Sequence, residues 1–125
     1  MKLLHTSITV KDMDESIKFY TELLGLKLVK RVEIPENDAE IAFLEDGYTD
    51  YRIELTYWRS KREYSEGDQL DHLALEVEDI EEAVAELRRR GVNIAREPYS
   101  LSHTKTRIAF ITDPNDIWIE LIQHR

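Results

Sequence analysis

Leu70-Asp71-His72-Leu73-Ala74-Leu75-Glu76-Val77 is the stretch that decides the fold, because it repeats a pattern already present at the amino terminus. In Leu3-Leu4-His5-Thr6-Ser7-Ile8-Thr9-Val10 the histidine and the closing valine occupy the same places. Lys11-Asp12-Met13-Asp14-Glu15 then answers Glu78-Asp79-Ile80-Glu81-Glu82. The chain therefore reads as two copies of one module. Each copy opens with the alternation of a half-buried strand: Leu4, Thr6, Ile8 and Val10 share one face, and His5, Ser7 and Thr9 the other.

Outward from these two strands, the same elements recur in the same order. Asp12 or Asp14 caps a helix over roughly 13 to 24, where Ile17, Tyr20, Leu23 and Leu24 recur at helical spacing and Gly25 follows the end. A second strand runs from Leu26 to Val32, a turn occupies Pro35-Glu36-Asn37-Asp38, and a third strand covers Ala39 to Leu44. After Asp46-Gly47, a fourth strand covers 51 to 58, with Arg52, Glu54, Thr56 and Trp58 on one face. Residues 59 to 69 carry almost no apolar surface and read as a polar connection. The pattern then restarts: a strand over 71 to 77, a helix ending at Arg90 before Gly91, a short strand from Val92 to Arg96 and a loop from Glu97 to His103. Strands over 106 to 112 and 117 to 123 flank the turn Asp113-Pro114-Asn115-Asp116. The expected fold is α+β, one domain over 1–125 made of two βαβββ modules in tandem, 1–58 and 70–125.

Composition narrows the function. At 125 residues and 42% hydrophobic, the chain is long enough for an ordinary core. With 26 acidic against 17 basic residues and a net charge of -9, it repels phosphate backbones and anionic lipid surfaces, which argues against nucleic acid and membrane as partners. No run is long and apolar enough for a bilayer, and the amino terminus enters a strand pattern, so a cytoplasmic location is expected. The chain has no cysteine, so any metal must be held by nitrogen and oxygen.

A numerical coincidence singles out four residues. His5 and Glu54 are 49 positions apart, and His72 and Glu120 are 48 apart. Each histidine lies at the first strand of its module, and each glutamate sits in an Ile-Glu-Leu context on the last, where an unpartnered carboxylate would be costly. A lone strand histidine is usually structural, and a lone strand glutamate is usually an edge residue. The repeated pair instead points to a metal held by His5, Glu54, His72 and Glu120. Two imidazoles and two carboxylates suit nickel, cobalt, manganese, iron or zinc. A six-coordinate ion would keep two positions for water or substrate oxygens.

Beyond these ligands, Met1-Lys2-Leu3-Leu4-His5-Thr6, Ser16-Ile17-Lys18-Phe19-Tyr20-Thr21, Leu24-Gly25-Leu26-Lys27-Leu28, Ile53-Glu54-Leu55-Thr56-Tyr57 and Ile108-Ala109-Phe110 followed by Asp113-Pro114 complete a pattern. It resembles glyoxalase I, the lactoylglutathione lyase branch of the vicinal oxygen chelate superfamily, over essentially the whole chain. The resemblance implies a homodimer whose sheets curve round metal sites at the subunit interface, His5 and Glu54 coming from one subunit and His72 and Glu120 from the other. It implies nickel or cobalt ahead of zinc. The implied reaction isomerises the hemithioacetal of methylglyoxal and a thiol into a 2-hydroxyacyl thioester through a metal-stabilised enediolate. Glu120 is the implied base, with Glu54 serving the opposite face.

The chain departs from that family around the thiol. The usual arginine, asparagine and late basic residue that hold glutathione carboxylates are replaced by Thr9, Trp58 and, approximately, Ser102. Arg52, Lys105 and Arg107 are the candidate substitutes, with Arg52 equally readable as a partner for a ligand carboxylate. Trp58 and Trp118 either shape the pocket or pack an interface. Asp116 stands where the family usually has glycine and suggests a slightly different turn. His103 and His124 read as loop and tail residues. The thiol is thus glutathione or another low-molecular-weight thiol. The competing readings are another metalloenzyme of the superfamily, such as an acyl-CoA epimerase or a dioxygenase, and a metal-free antibiotic-binding protein.

Overall fold

Asp12 and Asp79, each seven residues after its histidine, start the two helices in the same way. The Asp12 side chain accepts the Glu15 backbone N–H, and that of Asp79 accepts the Glu82 N–H. These bonds satisfy donors that the helix itself cannot. The computed structural model describes residues 1–60, 63–65, 67, 70–102 and 104–124. Lys61, Arg62, Glu66, Asp68 and Gln69 of the expected connection, with His103 and Arg125, lie outside the described residues. The chain divides into two compact units, Met1–Ser65 and Glu66–Arg125, and the division falls within that connection.

The first unit contains β1 (His5–Thr9), α1 (Met13–Lys18), β2 (Lys27–Ile34), β3 (Ala39–Glu45) and β4 (Arg52–Trp58). Its helical segment has the expected extent but not uniform winding. After Lys18, α1 passes into a π-helical turn, Phe19–Leu23, which buries Phe19 and Tyr20. The wider turn takes up one extra residue. Gly25 falls 20 residues after His5, whereas Gly91 falls 19 after His72. The hairpin that follows restores the count, because Phe43 and Phe110 both lie 38 residues after their histidines.

The second unit contains β5 (Leu73–Glu76), α2 (Ile80–Arg89), β6 (Asn93–Ser100), β7 (Arg107–Thr112) and β8 (Trp118–Gln123). Two boundaries differ from the sequence expectation. Strand β5 begins at Leu73, the first residue paired with β8, so His72 immediately precedes the strand. Strand β6 continues through Glu97, Pro98 and Tyr99 to Ser100, where a loop was expected. It can do so because it is the edge strand of its sheet and carries two register shifts. An edge with bulges tolerates a proline that lacks a donor. Arg96 lies over the Tyr99 ring, 3.8 Å from its centroid.

Both sheets have the same topology, β1-β4-β3-β2 and β5-β8-β7-β6. In each, the first and last strands pair parallel, and the other pairs are antiparallel. One face carries the apolar core: Ile8, Val10, Ala42, Leu44 and Leu55 in the first unit, and Ala109, Ile111, Ile119 and Leu121 in the second. Ile80, Val84 and Leu87 recur at helical spacing along α2 and are buried with the second set. Each large apolar side chain fully removed from water contributes about 1.5–3 kcal/mol. Among the described residues, no helix is long and apolar enough to cross a membrane.

An aspartate organises the turn before the last strand of each unit. Asp46 Oδ1 accepts the Tyr48 and Thr49 backbone N–H groups at 2.8 and 2.9 Å. Asp113 Oδ1 accepts those of Asn115 and Ile117, both at 2.8 Å. Asp116 adopts the left-handed backbone, φ 65°, that glycine enters freely, and its N–H bonds the Asp113 carbonyl at 3.1 Å. The backbone donors of Thr49 and Tyr48 hold the Asp46 carboxyl below its ordinary range. Its contribution is therefore complete above pH ~4 and is lost as the pH falls through that lowered value. At neutral pH, Asp113→Ala, which strands two buried N–H groups, should destabilise the protein by about 2–3 kcal/mol, read from urea unfolding.

Candidate metal centre

The alternation of β1 sends His5 and Ser7 away from the core face, and that of β4 sends Glu54 the same way. In the parallel ladder, Ser7 pairs with Glu54, so His5 sits two residues back along β1 from the partner of Glu54. The second unit repeats the offset, since Ala74 pairs with Glu120 and His72 lies two residues before it. The result is a His5 Nε2 to Glu54 Oε1 distance of 3.9 Å and a His72 Nε2 to Glu120 Oε1 distance of 3.4 Å. Both glutamate side chains are only 16% exposed. Identical registers also locate the difference between the spacings of 49 and 48. Phe43 pairs with Glu54 and Phe110 with Glu120, so the extra residue lies in the turn between Asp46 and Arg52.

A phenyl edge or face supports each imidazole. His5 meets Phe43 at 5.5 Å between centroids and His72 meets Phe110 at 5.8 Å, both nearly perpendicular. This geometry is favourable for aromatic pairs. Around those rings the units diverge. In the first, Arg52 lies over Phe43 and bonds Glu45 at 2.7 Å. In the second, the same position is Trp118, which packs on Phe110 at 5.4 Å and is 41% exposed.

His72 has a further partner in Asp71, whose Oδ1 lies 2.7 Å from Nδ1. With Nδ1–H donating to that carboxylate, Nε2 keeps its lone pair on the Glu120 side, the usual arrangement behind a metal-binding histidine. In the first unit the residue before the histidine is Leu4, which cannot do this. Glu54 is backed instead by Thr56, whose hydroxyl donates to Oε1 at 3.4 Å. Asp71 and Thr56 were not singled out from sequence, although Asp71 adjoins the histidine and Thr56 follows Glu54 on the same face.

Each unit by itself offers one imidazole and one carboxylate. Among the described residues no group of three or more His, Asp or Glu side chains gathers closely enough to hold a metal. One imidazole and one carboxylate bound to the same ion at about 2.1 Å stand roughly 3.0–3.4 Å apart. The second pair already has that separation, and the first is about half an ångström wider. The donor types and spacing therefore fit a borderline divalent ion.

The candidate substrate residues are divided between two faces. Thr9, Arg52, Trp58 and Trp118 share the site face by strand alternation. Arg52 is paired with Glu45 rather than with the candidate ligand Glu54. Arg107 is on the other face of β7, with Ala109 and Ile111, where it bonds Ser100 and Glu81 of α2. That removes Arg107 from the half-site of its own unit. His124, read as a tail residue, pairs with Glu76 at 2.9 Å.

Residues 2–121 match the family model for the Glyoxalase/Bleomycin resistance protein/Dioxygenase superfamily. The chain belongs to that superfamily. It is 39% identical over 130 residues to the lactoylglutathione lyase of Neisseria meningitidis serogroup A, covering 100% of this chain and 92% of the relative. Its fold matches the trypanothione-dependent glyoxalase I of Leishmania major, with TM-score 0.83 and 36% identity over 99% of this chain and 87% of that one. It also matches glyoxalase I from Zea mays, with TM-score 0.86 and 33% identity over 98% of this chain. The chain spans 44% of the maize chain's length. Superfamily membership and the two His–Glu pairs together imply a divalent metal cofactor.

If Asp71 orients the imidazole, Asp71→Asn should weaken Co²⁺ binding by roughly tenfold while leaving the unfolding midpoint unchanged. Calorimetric titration measures the first quantity and urea denaturation the second.

Proposed function

We propose that the chain isomerises the hemithioacetal of methylglyoxal and a low-molecular-weight thiol to the 2-hydroxyacyl thioester, as a lactoylglutathione lyase of the glyoxalase I type. The observation that carries this reading is the identical register of two His–Glu pairs in a chain whose near-full-length relatives bear that name. In the proposed assembly, His5 and Glu54 of one subunit and His72 and Glu120 of the other hold one ion in a homodimer. Nickel or cobalt ahead of zinc follows from the resemblance to short glyoxalase I chains, and a six-coordinate ion would leave room for two substrate oxygens.

When bound, the ion would stabilise the negative charge that develops on those two oxygens as the substrate loses a proton. Glu120 takes that proton from the carbon bearing sulfur and returns it to the neighbouring carbon, so the product is an isomer and no other reactant is consumed. Support for Glu120 comes from its surroundings. Ala74 and Ile122 flank it on the site face, and His72 Nε2 lies 3.4 Å from its Oε1. Phe43 and Phe110, each packed edge-on against its histidine, would supply apolar surface beside the reacting carbons.

The thiol is glutathione or a related small thiol, bound without cations at Thr9, Trp58 and Ser102. Glu120→Gln should lower kcat by about 10²–10⁴ while leaving the ion bound. Steady-state assay with methylglyoxal and metal analysis of the same sample check both. Nickel-loaded protein should consume at least one hemithioacetal when glutathione, bacillithiol and coenzyme A are compared side by side. Turnover of none would rule out the lyase reading.

A further inference from the structure

The two half-centres match in their ligands but not in what stands behind the carboxylates. In the first unit, Thr56 donates its hydroxyl proton to Glu54 Oε1 at 3.4 Å. Ser7, opposite Glu54 in the β1–β4 ladder, has its Oγ 2.9 Å from Thr56 Oγ1. A hydroxyl has one proton to give. With the Thr56 proton committed to Glu54, Ser7 is the donor of the second bond, and the two form a directed chain from Ser7 through Thr56 to Glu54. Thr56 is 6% exposed, so water has little access to its end of this chain. In the second unit the equivalent positions are Ala74, opposite Glu120, and Ile122, two residues after it. Neither side chain can donate a hydrogen bond.

We propose that the Ser7–Thr56 chain is a positioning device that holds Glu54 in one orientation as a metal ligand, and that the second half-centre omits it so that Glu120 keeps the freedom to move a proton. This rests on the isomerase reading above. A base that serves two neighbouring carbons must shift its oxygen by about 1.5 Å during turnover. The torsion next to a carboxylate is broad and unrestrained by itself, so a fixed carboxylate needs a donor and a moving one is hindered by it. Thr56 supplies that donor, and its branched side chain has few rotamers to lose. Ser7 removes the remaining freedom of the Thr56 hydroxyl. The second unit invests in its histidine instead, through Asp71. Each half-centre thus has one secured ligand.

The test uses metal-stripped protein titrated with Co²⁺ and followed by visible absorption. Thr56→Val deletes the hydroxyl at nearly constant volume and should weaken Co²⁺ binding roughly tenfold, whereas Thr56→Ser should keep wild-type affinity. Ser7→Ala should give a smaller loss. The double variant Ser7→Ala with Thr56→Val should bind no more weakly than Thr56→Val alone, because the chain is already cut. Affinity of Thr56→Val within about twofold of wild type, or losses that add in the double variant, would overturn the role. Wild-type protein that binds no Co²⁺ overturns this role and the metal reading together. Wild-type binding with the predicted order of variants, but without turnover of any hemithioacetal, supports the role and refutes only the isomerase reading.

Discussion

The parallel pairing of the first and last strands within each unit is the constraint from which the centre follows. Side chains alternate with period two, so a slip of one residue would turn Glu54 or Glu120 to the opposite face. The core prevents that slip. Ile8 and Leu55 in one ladder, and Ile119 and Leu121 in the other, are buried on the reverse face and would be driven into water by it. The energy that holds a histidine beside a carboxylate therefore comes mainly from apolar side chains that never touch either group.

Repetition supplies the two His–Glu pairs, and divergence around them supplies different environments. Arg52 neutralises Glu45 beside one pair, where Trp118 puts an indole beside the other. Thr56 backs one carboxylate and Asp71 backs the opposite unit's imidazole. Thr9 and Trp58 in the first unit correspond to Glu76 and His124 in the second, which bond each other. Two pairs with the same register thus sit in different chemical surroundings.

Much of this was legible in the sequence because the information was written twice. The strand alternation, the two capping aspartates and the His–Glu spacing recur, and recurrence separates a pattern from chance. What recurs only once was harder to read. The π turn after Lys18 depends on how Phe19 and Tyr20 pack, which local spacing does not state. The continuation of β6 through Pro98 depends on its being an edge strand, a property of the sheet. Arg52 joins Glu45 through the β3–β4 register, seven residues back, so its partner became visible only once that hairpin was aligned. Arg107 was readable: it alternates with Ala109 and Ile111, and that pattern already assigned it to the helix side.

The longer turn between Asp46 and Arg52 carries a consequence for how such a chain can change. Measured from the histidine, the distance to the phenylalanine on the third strand is the same in both halves, and the surplus residue is taken up entirely at the corner beyond it. The ladders act as a ruler and the corner as slack. Insertions at Gly47–Thr49 can accumulate without the centre registering them, whereas losing one residue within β4 would turn its carboxylate towards the helix. Length at that corner is therefore free to change by single residues, whereas along the paired strands only steps of two keep each side chain on its face.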